Sequence, residues 1–134
     1  IASYKRALEI DSNQPQVLNS LALAYLRSGN NEAARDLLNT IIETNPTSAA
    51  YQQLGFAYLR LKEYEQAISS YRKAVSLDPN DWSARKGAGV ALMIAYMQNK
   101  NSQYRTEALE QWQRSLALNP NQPSLRELLD KYGR

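Results

Sequence analysis

Apolar residues in this chain recur three and four positions apart, the spacing that gathers them on one face of an α-helix. Leu21, Ala22 and Tyr25 follow it, as do Leu54, Gly55 and Tyr58, and then Ala88, Gly89 and Leu92. Near the end, Leu125, Leu128, Leu129 and Tyr132 interleave with Arg126, Glu127, Asp130 and Lys131, which makes an amphipathic stripe. Long runs of β-branched residues are absent. Prolines interrupt the pattern, because the residue before a proline is pushed out of the helical region. Asn80, Asp81 and Asn121 stand where a following helix needs a cap. These signals predict helices at 15–28, 31–45, 48–61, 64–77, 81–98, 103–118 and 122–132, with a truncated helix at 1–11 ahead of them.

The segments repeat. Leu77-Asp78-Pro79-Asn80 and Leu118-Asn119-Pro120-Asn121 match almost letter for letter, and Asn45-Pro46-Thr47 is a looser copy. An alanine lies twelve residues before each proline, at Ala34, Ala67 and Ala108. The prolines are 33 residues apart from Pro46 to Pro79 and 41 apart from Pro79 to Pro120. The first residues fit the same register: Ile1-Ala2-Ser3-Tyr4-Lys5-Arg6-Ala7 aligns with Ile68-Ser69-Ser70-Tyr71-Arg72-Lys73-Ala74.

On these residues the chain resembles the tetratricopeptide repeat (TPR) family, whose pattern sets an aromatic, Leu-Gly, Tyr, Ala, an aromatic and Pro over about 34 residues. Residues 48–81 carry the fullest copy, with Tyr51, Leu54, Gly55, Tyr58, Tyr64, Ala67, Tyr71, Ala74 and Pro79. Residues 15–47 are a weaker copy, with Leu18 for the first aromatic, Ala22 for the glycine and Leu38 for the second aromatic. Residues 82–122 form a third copy, with Arg85 where an aromatic is expected. The resemblance implies an all-α fold, a right-handed α-solenoid of antiparallel helix hairpins. The implied division is a partial repeat at 1–14, repeats at 15–47, 48–81 and 82–122, and a capping helix at 123–134 that shields the last hairpin. In such hairpins small residues allow close helix packing, so Ala22, Gly55 and Gly89 are expected to face Ala34, Ala67 and Ala108. Tyr25, Tyr58, Tyr71 and Trp112 are then expected to fill the gaps between hairpins.

Two departures stand out. The chain opens inside what would be the second helix of a preceding repeat, with Ala2, Tyr4, Ala7 and Leu8 on a face that a full hairpin would cover. That suggests a piece of a longer solenoid and raises self-association through this face as an alternative role. The third repeat is also seven residues over the family length, with the excess between Ile94 and Ala108. Seven residues are nearly two helical turns. Both helices are expected to lengthen, with the turn at 99–102 projecting as either a structural extension or a contact site.

The resemblance also implies where a ligand lies. TPR hairpins generally present their first helices on a concave wall that binds peptides. By alignment that wall is lined by Asn19, Leu23, Leu26 and Arg27, then Gln52, Phe56, Leu59 and Arg60, then Lys86, Val90, Met93 and Ile94. Leu26, Leu59 and Met93 are also natural packing residues. Phe56, the chain's sole phenylalanine, is the best single anchor. An apolar floor edged by Arg27, Arg60 and Lys86 suits a peptide with hydrophobic anchors and some acidic residues. One TPR subclass holds acidic chaperone tails through a carboxylate clamp of Lys, Asn, Asn, Lys and Arg. The matching positions here are Asn19, Leu23, Gln53, Ser83 and Gly87, and none keeps the required residue.

Composition narrows the chemistry. The 134 residues contain no cysteine and no histidine, which removes disulfides, Cys/His zinc sites, thiol nucleophiles and imidazole bases. The clustered acids, Glu63 with Glu65 and Asp78 with Asp81, fall at helix boundaries where capping accounts for them. No catalytic residue, cofactor or metal site is expected. The net charge of +3 is uneven: residues 1–67 hold six basic and seven acidic side chains, residues 68–134 ten and six. That lean is far from the dense basic stripe of a nucleic-acid binder. The apolar stretch from Gly87 to Met97 is about half a membrane span and reads as a buried helix. The sequence therefore predicts a non-catalytic adaptor or scaffold for a protein or peptide partner. Lack of cysteine fits a reducing compartment without demanding one. The cytoplasm is the favoured location, and a periplasmic or exported parent protein is compatible with a chain that opens at Ile1 rather than Met.

Overall fold

The computed structural model describes residues 15–133. They form seven helices and no strand: α1 (Pro15–Arg27), α2 (Asn31–Thr44), α3 (Ser48–Arg60), α4 (Tyr64–Leu77), α5 (Trp82–Asn99), α6 (Ser102–Leu118) and α7 (Pro123–Tyr132). Every expected helix in this range is present with each end within one residue of its predicted place. The expected helix at 1–11, and with it Ala2, Tyr4, Ala7 and Leu8, lies outside the described residues.

Each helix packs on the next, and the first helices of successive hairpins also touch, α1 with α3 and α3 with α5. The second helices do not approach one another in the same way, so the array curves with α1, α3 and α5 on its inner wall. Within the hairpins, the tight turns are made by a residue in the left-handed region: Gly29 (φ +82°), Lys62 (φ +62°) and Lys100 (φ +60°). Between hairpins, Thr47 caps α3 by accepting from the Ala50 amide, and Asp81 caps α5 by accepting from Ser83 and Ala84. Asn121 does not cap α7. Gln122 holds that position, and its side chain turns inward to donate to Ser115 and to the Asn119 carbonyl.

The core runs the length of the array. One part gathers Leu18, Leu21, Tyr25, Leu38, Ile41 and Leu54, and the other Ile68, Tyr71, Leu92, Trp112 and Leu125, with Tyr58 packed against both. The hairpin contacts differ from expectation in one respect. The atoms nearest to a Cβ placed on Gly55 belong to Tyr71, not Ala67, and those nearest to one on Gly89 belong to Trp112, not Ala108. The glycines are slots for aromatic rings, which need more room than an opposing alanine. Trp112 also donates through its indole N–H to the Lys86 carbonyl at 3.3 Å.

Arg85, in place of an aromatic, is buried to 8% exposure. Its guanidinium donates to the Pro79 carbonyl (2.7 Å) and to Gln111 Oε1 (3.0 Å), which ties the turn before α5 to α6. Burial, followed by repulsion from Arg114, lowers its pKa. The long third repeat lengthens both of its helices, to 18 and 17 residues against 13 or 14 in the hairpins before it. The extension is tied back to α4: Tyr104 donates its hydroxyl to Glu65 (2.9 Å), and Arg72 makes a two-pronged contact with Glu107 (2.6 and 2.9 Å). These hydrogen bonds raise the pKa of Tyr104 and of Arg72.

Candidate functional site

The inner wall carries a groove of about 700 Å³. It is lined by Leu23, Leu26 and Arg27 of α1, by Gln52, Gln53, Phe56, Leu59 and Arg60 of α3, and by Ser83, Lys86, Gly87 and Val90 of α5. On each helix these residues fall three and four positions apart, so one turn-to-turn stripe of each helix faces the same space. Tyr71 of α4 reaches the groove from behind the wall.

Nine of the twelve residues expected to line the wall meet here: Leu23, Leu26, Arg27, Gln52, Phe56, Leu59, Arg60, Lys86 and Val90. Met93 does not. At 3% exposure it packs into the second part of the core beside Leu92 and Ala95 of the same helix. Asn19, a turn before Leu23, and the half-buried Ile94 also lie off the groove. Gln52 is in the groove but already engaged, donating to Asp81 Oδ2 at 2.6 Å and so linking α3 to the cap of α5.

Among the described residues, three cations and no carboxylate line this space. Arg27 and Lys86 make no ion pair among the described residues. The Arg60 guanidinium lies 5.3 Å from the centre of the Phe56 ring, an arrangement that holds a cation over the groove's most exposed aromatic. Phe56 is 39% exposed and Leu23 37%, high values for apolar side chains of this size on a curved inner surface. Four positions matching the carboxylate clamp, Leu23, Gln53, Ser83 and Gly87, do lie in the groove, and none bears a charge. The positive charge has moved to the neighbouring residues Arg27, Arg60 and Lys86.

Tyr71 is the lining residue that sequence reasoning missed; it was expected only to fill a gap between hairpins. A Cβ on Gly55 would stand 2.8 Å from Cδ2 and Cε2 of its ring, and one on Gly87 would overlap Cε1 and stand 2.7 Å from Cζ. The two glycines thus leave a slot between α3 and α5 through which the phenol passes. The signal in the sequence was a glycine on each of two successive first helices, Gly55 and Gly87, with a tyrosine on the helix between them.

Tetratricopeptide repeat models match residues 1–55 and residues 48–81. The chain belongs to the tetratricopeptide repeat family. Among curated relatives, this TPR chain is 30% identical over 88 residues to small glutamine-rich tetratricopeptide repeat-containing protein 2 of Mycosarcoma maydis, an alignment covering 65% of the chain and 25% of that protein. It is 32% identical over 90 residues to heat shock protein STI1 of Saccharomyces cerevisiae, covering 65% of the chain and 15% of that protein. The matched part thus spans a quarter or less of these relatives' length. Among solved structures, the first TPR of Spaghetti (RPAP3) bound to the HSP90 peptide SRMEEVD superposes with a TM-score of 0.79 at 26% identity, over 92% of this chain and 93% of that one. TPR domains of this fold are typically non-catalytic modules for protein interaction.

Proposed function

We propose that this TPR chain is a non-catalytic adaptor that binds an acidic peptide with apolar anchors along the inner groove. The observation that carries the reading is the combination of an apolar floor, with Phe56 and Leu23 exposed, and three cations unopposed by any lining carboxylate among the described residues. Burying the apolar anchors supplies binding energy, while the cations select the sign of the partner. The peptide held by the Spaghetti relative, SRMEEVD, has the same mixture of acidic and apolar side chains. With the clamp positions uncharged here, side-chain carboxylates are the better match to Arg27, Arg60 and Lys86. Catalysis has little to work with: the chain lacks cysteine and histidine, and Asp81 and Glu65 are engaged in a helix cap and a tyrosine hydrogen bond. No helix among the described residues is long and apolar enough to cross a membrane.

The test is titration of the chain with short fluorescent peptides built from Asp, Glu and large apolar residues. Phe56→Ala and Arg60→Glu are each expected to weaken binding by roughly tenfold or more, the range of a central interface residue, with helicity by circular dichroism unchanged. Equal affinity in both variants, with helicity intact, would move the site away from this wall. Binding is also expected to weaken with rising salt, because the cations lie at a solvated surface.

A further inference from the structure

Tyr71 is buried to 5% exposure, yet its hydroxyl makes no hydrogen bond to any described residue. The oxygen is not among the unpaired polar atoms sealed off from solvent. It therefore retains access to the groove that the ring lines. The route of the ring explains this. Tyr71 stands on α4, behind the wall, and its long edges lie against Gly55 on α3 and Gly87 on α5. A side chain at Gly87 would collide with the phenol end of the ring, so the bare glycine keeps that end uncovered. A hydroxyl at the floor of an open groove bonds water there, and a ligand that displaces the water must replace the bond.

From this geometry we infer that the Tyr71 hydroxyl is a ligand-contacting donor that hydrogen-bonds a carboxylate of the bound acidic peptide, making Tyr71 a specificity residue of the groove. The inference rests on the groove reading above. Charge complementarity identifies the acceptor: Arg27, Arg60 and Lys86 draw a carboxylate into the space, and a phenol is a strong donor to one. Burial pushes the Tyr71 pKa up to about 12, so the phenol keeps its proton and remains a donor through the physiological range. An apolar peptide atom at the same place would leave the hydroxyl desolvated and unpaired, so the subsite discriminates against it.

The experiment selects from a library of short, C-terminally amidated peptides of Asp, Glu and large apolar residues, then compares wild type, Tyr71→Phe, Phe56→Ala and Arg60→Glu. Tyr71→Phe is expected to weaken the selected peptide roughly tenfold, with no loss in melting temperature because no internal bond is removed. The loss should vanish when one particular Asp or Glu of the peptide is replaced by its amide, the signature of a coupled pair. Comparing amide with free acid then separates a side-chain carboxylate from a terminal one, the latter being the partner if only the free acid shows the coupling. If Phe56→Ala and Arg60→Glu weaken binding while Tyr71→Phe does not, the groove stands and this role for Tyr71 is wrong. A melting temperature lowered in Tyr71→Phe, or a loss shared by every amide variant of the peptide, overturns it as well. If wild type retains no peptide of the library, or if no groove variant affects binding, the groove reading falls and takes this inference with it.

Discussion

Tyr71 joins a packed ring to an ionisable hydroxyl, and pH probes the second. Its ring packs in the core, while its hydroxyl makes no hydrogen bond to any described residue and its pKa is raised from about 10 to about 12 by burial alone. A group whose folded pKa lies above its unfolded value contributes its stabilisation below the unfolded value and loses it as pH rises through the folded one. The contribution is thus complete below about pH 10 and disappears toward pH 12, a loss of about 2 to 3 kcal/mol. Thermal melts between pH 9 and 12 should show a steeper decline for wild type than for Tyr71→Phe. Parallel curves would mean that the phenol ionises as freely in the folded state as in the unfolded one. Phe56 contrasts with Tyr71. Its place in the groove was legible from the repeat register alone, because the register sets it on the inner face of a first helix. Tyr71 was not legible in the same way, since its position on the second helix has a sufficient packing explanation.

For the elements, the periodic apolar stripes and the proline-bounded segments made every helix from 15 to 132 readable. Helix ends follow local chemistry, a cap or a proline, which sequence displays directly. What each glycine packs against was not readable. Gly55 and Gly89 were matched to alanines on grounds of size, but side-chain direction along the facing helix brings Tyr71 and Trp112 there instead. The Trp112 slot makes a stringent test. A Cβ on Gly89 would overlap the indole and stand 3.0 Å from Cε2, and Trp112 is only 1% exposed, with no room to retreat. Gly89→Ala should therefore destabilise the chain by about 1–3 kcal/mol through overpacking, despite alanine's better helix propensity. Denaturant unfolding that shows a gain of stability would place the indole elsewhere. The seven-residue excess of the third repeat behaves as two longer helices, and the Tyr104–Glu65 and Arg72–Glu107 contacts fasten it to α4.

Across the whole molecule, stacking neighbours carry the stability, since no hairpin buries its apolar face alone. Leu125 of α7 is fully buried against the last hairpin, and Ser115 and Gln122 join the same junction through hydrogen bonds. Leu125→Ala is expected to cost about 2–5 kcal/mol. Amide exchange should quicken first in α6 and α7 and only later in α1 and α2. Uniform acceleration along the chain would indicate a single cooperative unit in place of neighbour-by-neighbour coupling. The groove belongs to this scale too, because it exists only where α1, α3 and α5 line up.

The sequence by itself determined the helices, their repetition, the family and most of the residues that share the inner wall. All of these rest on local periodicity and on a register that recurs along the chain. The tertiary structure alone decided which wall residues remain open. It buried Met93 in the core, engaged Gln52 with Asp81 and brought the Tyr71 hydroxyl through a slot between Gly55 and Gly87. Those outcomes depend on how side chains from three different helices divide one volume, and spacing along a single helix carries no record of that division.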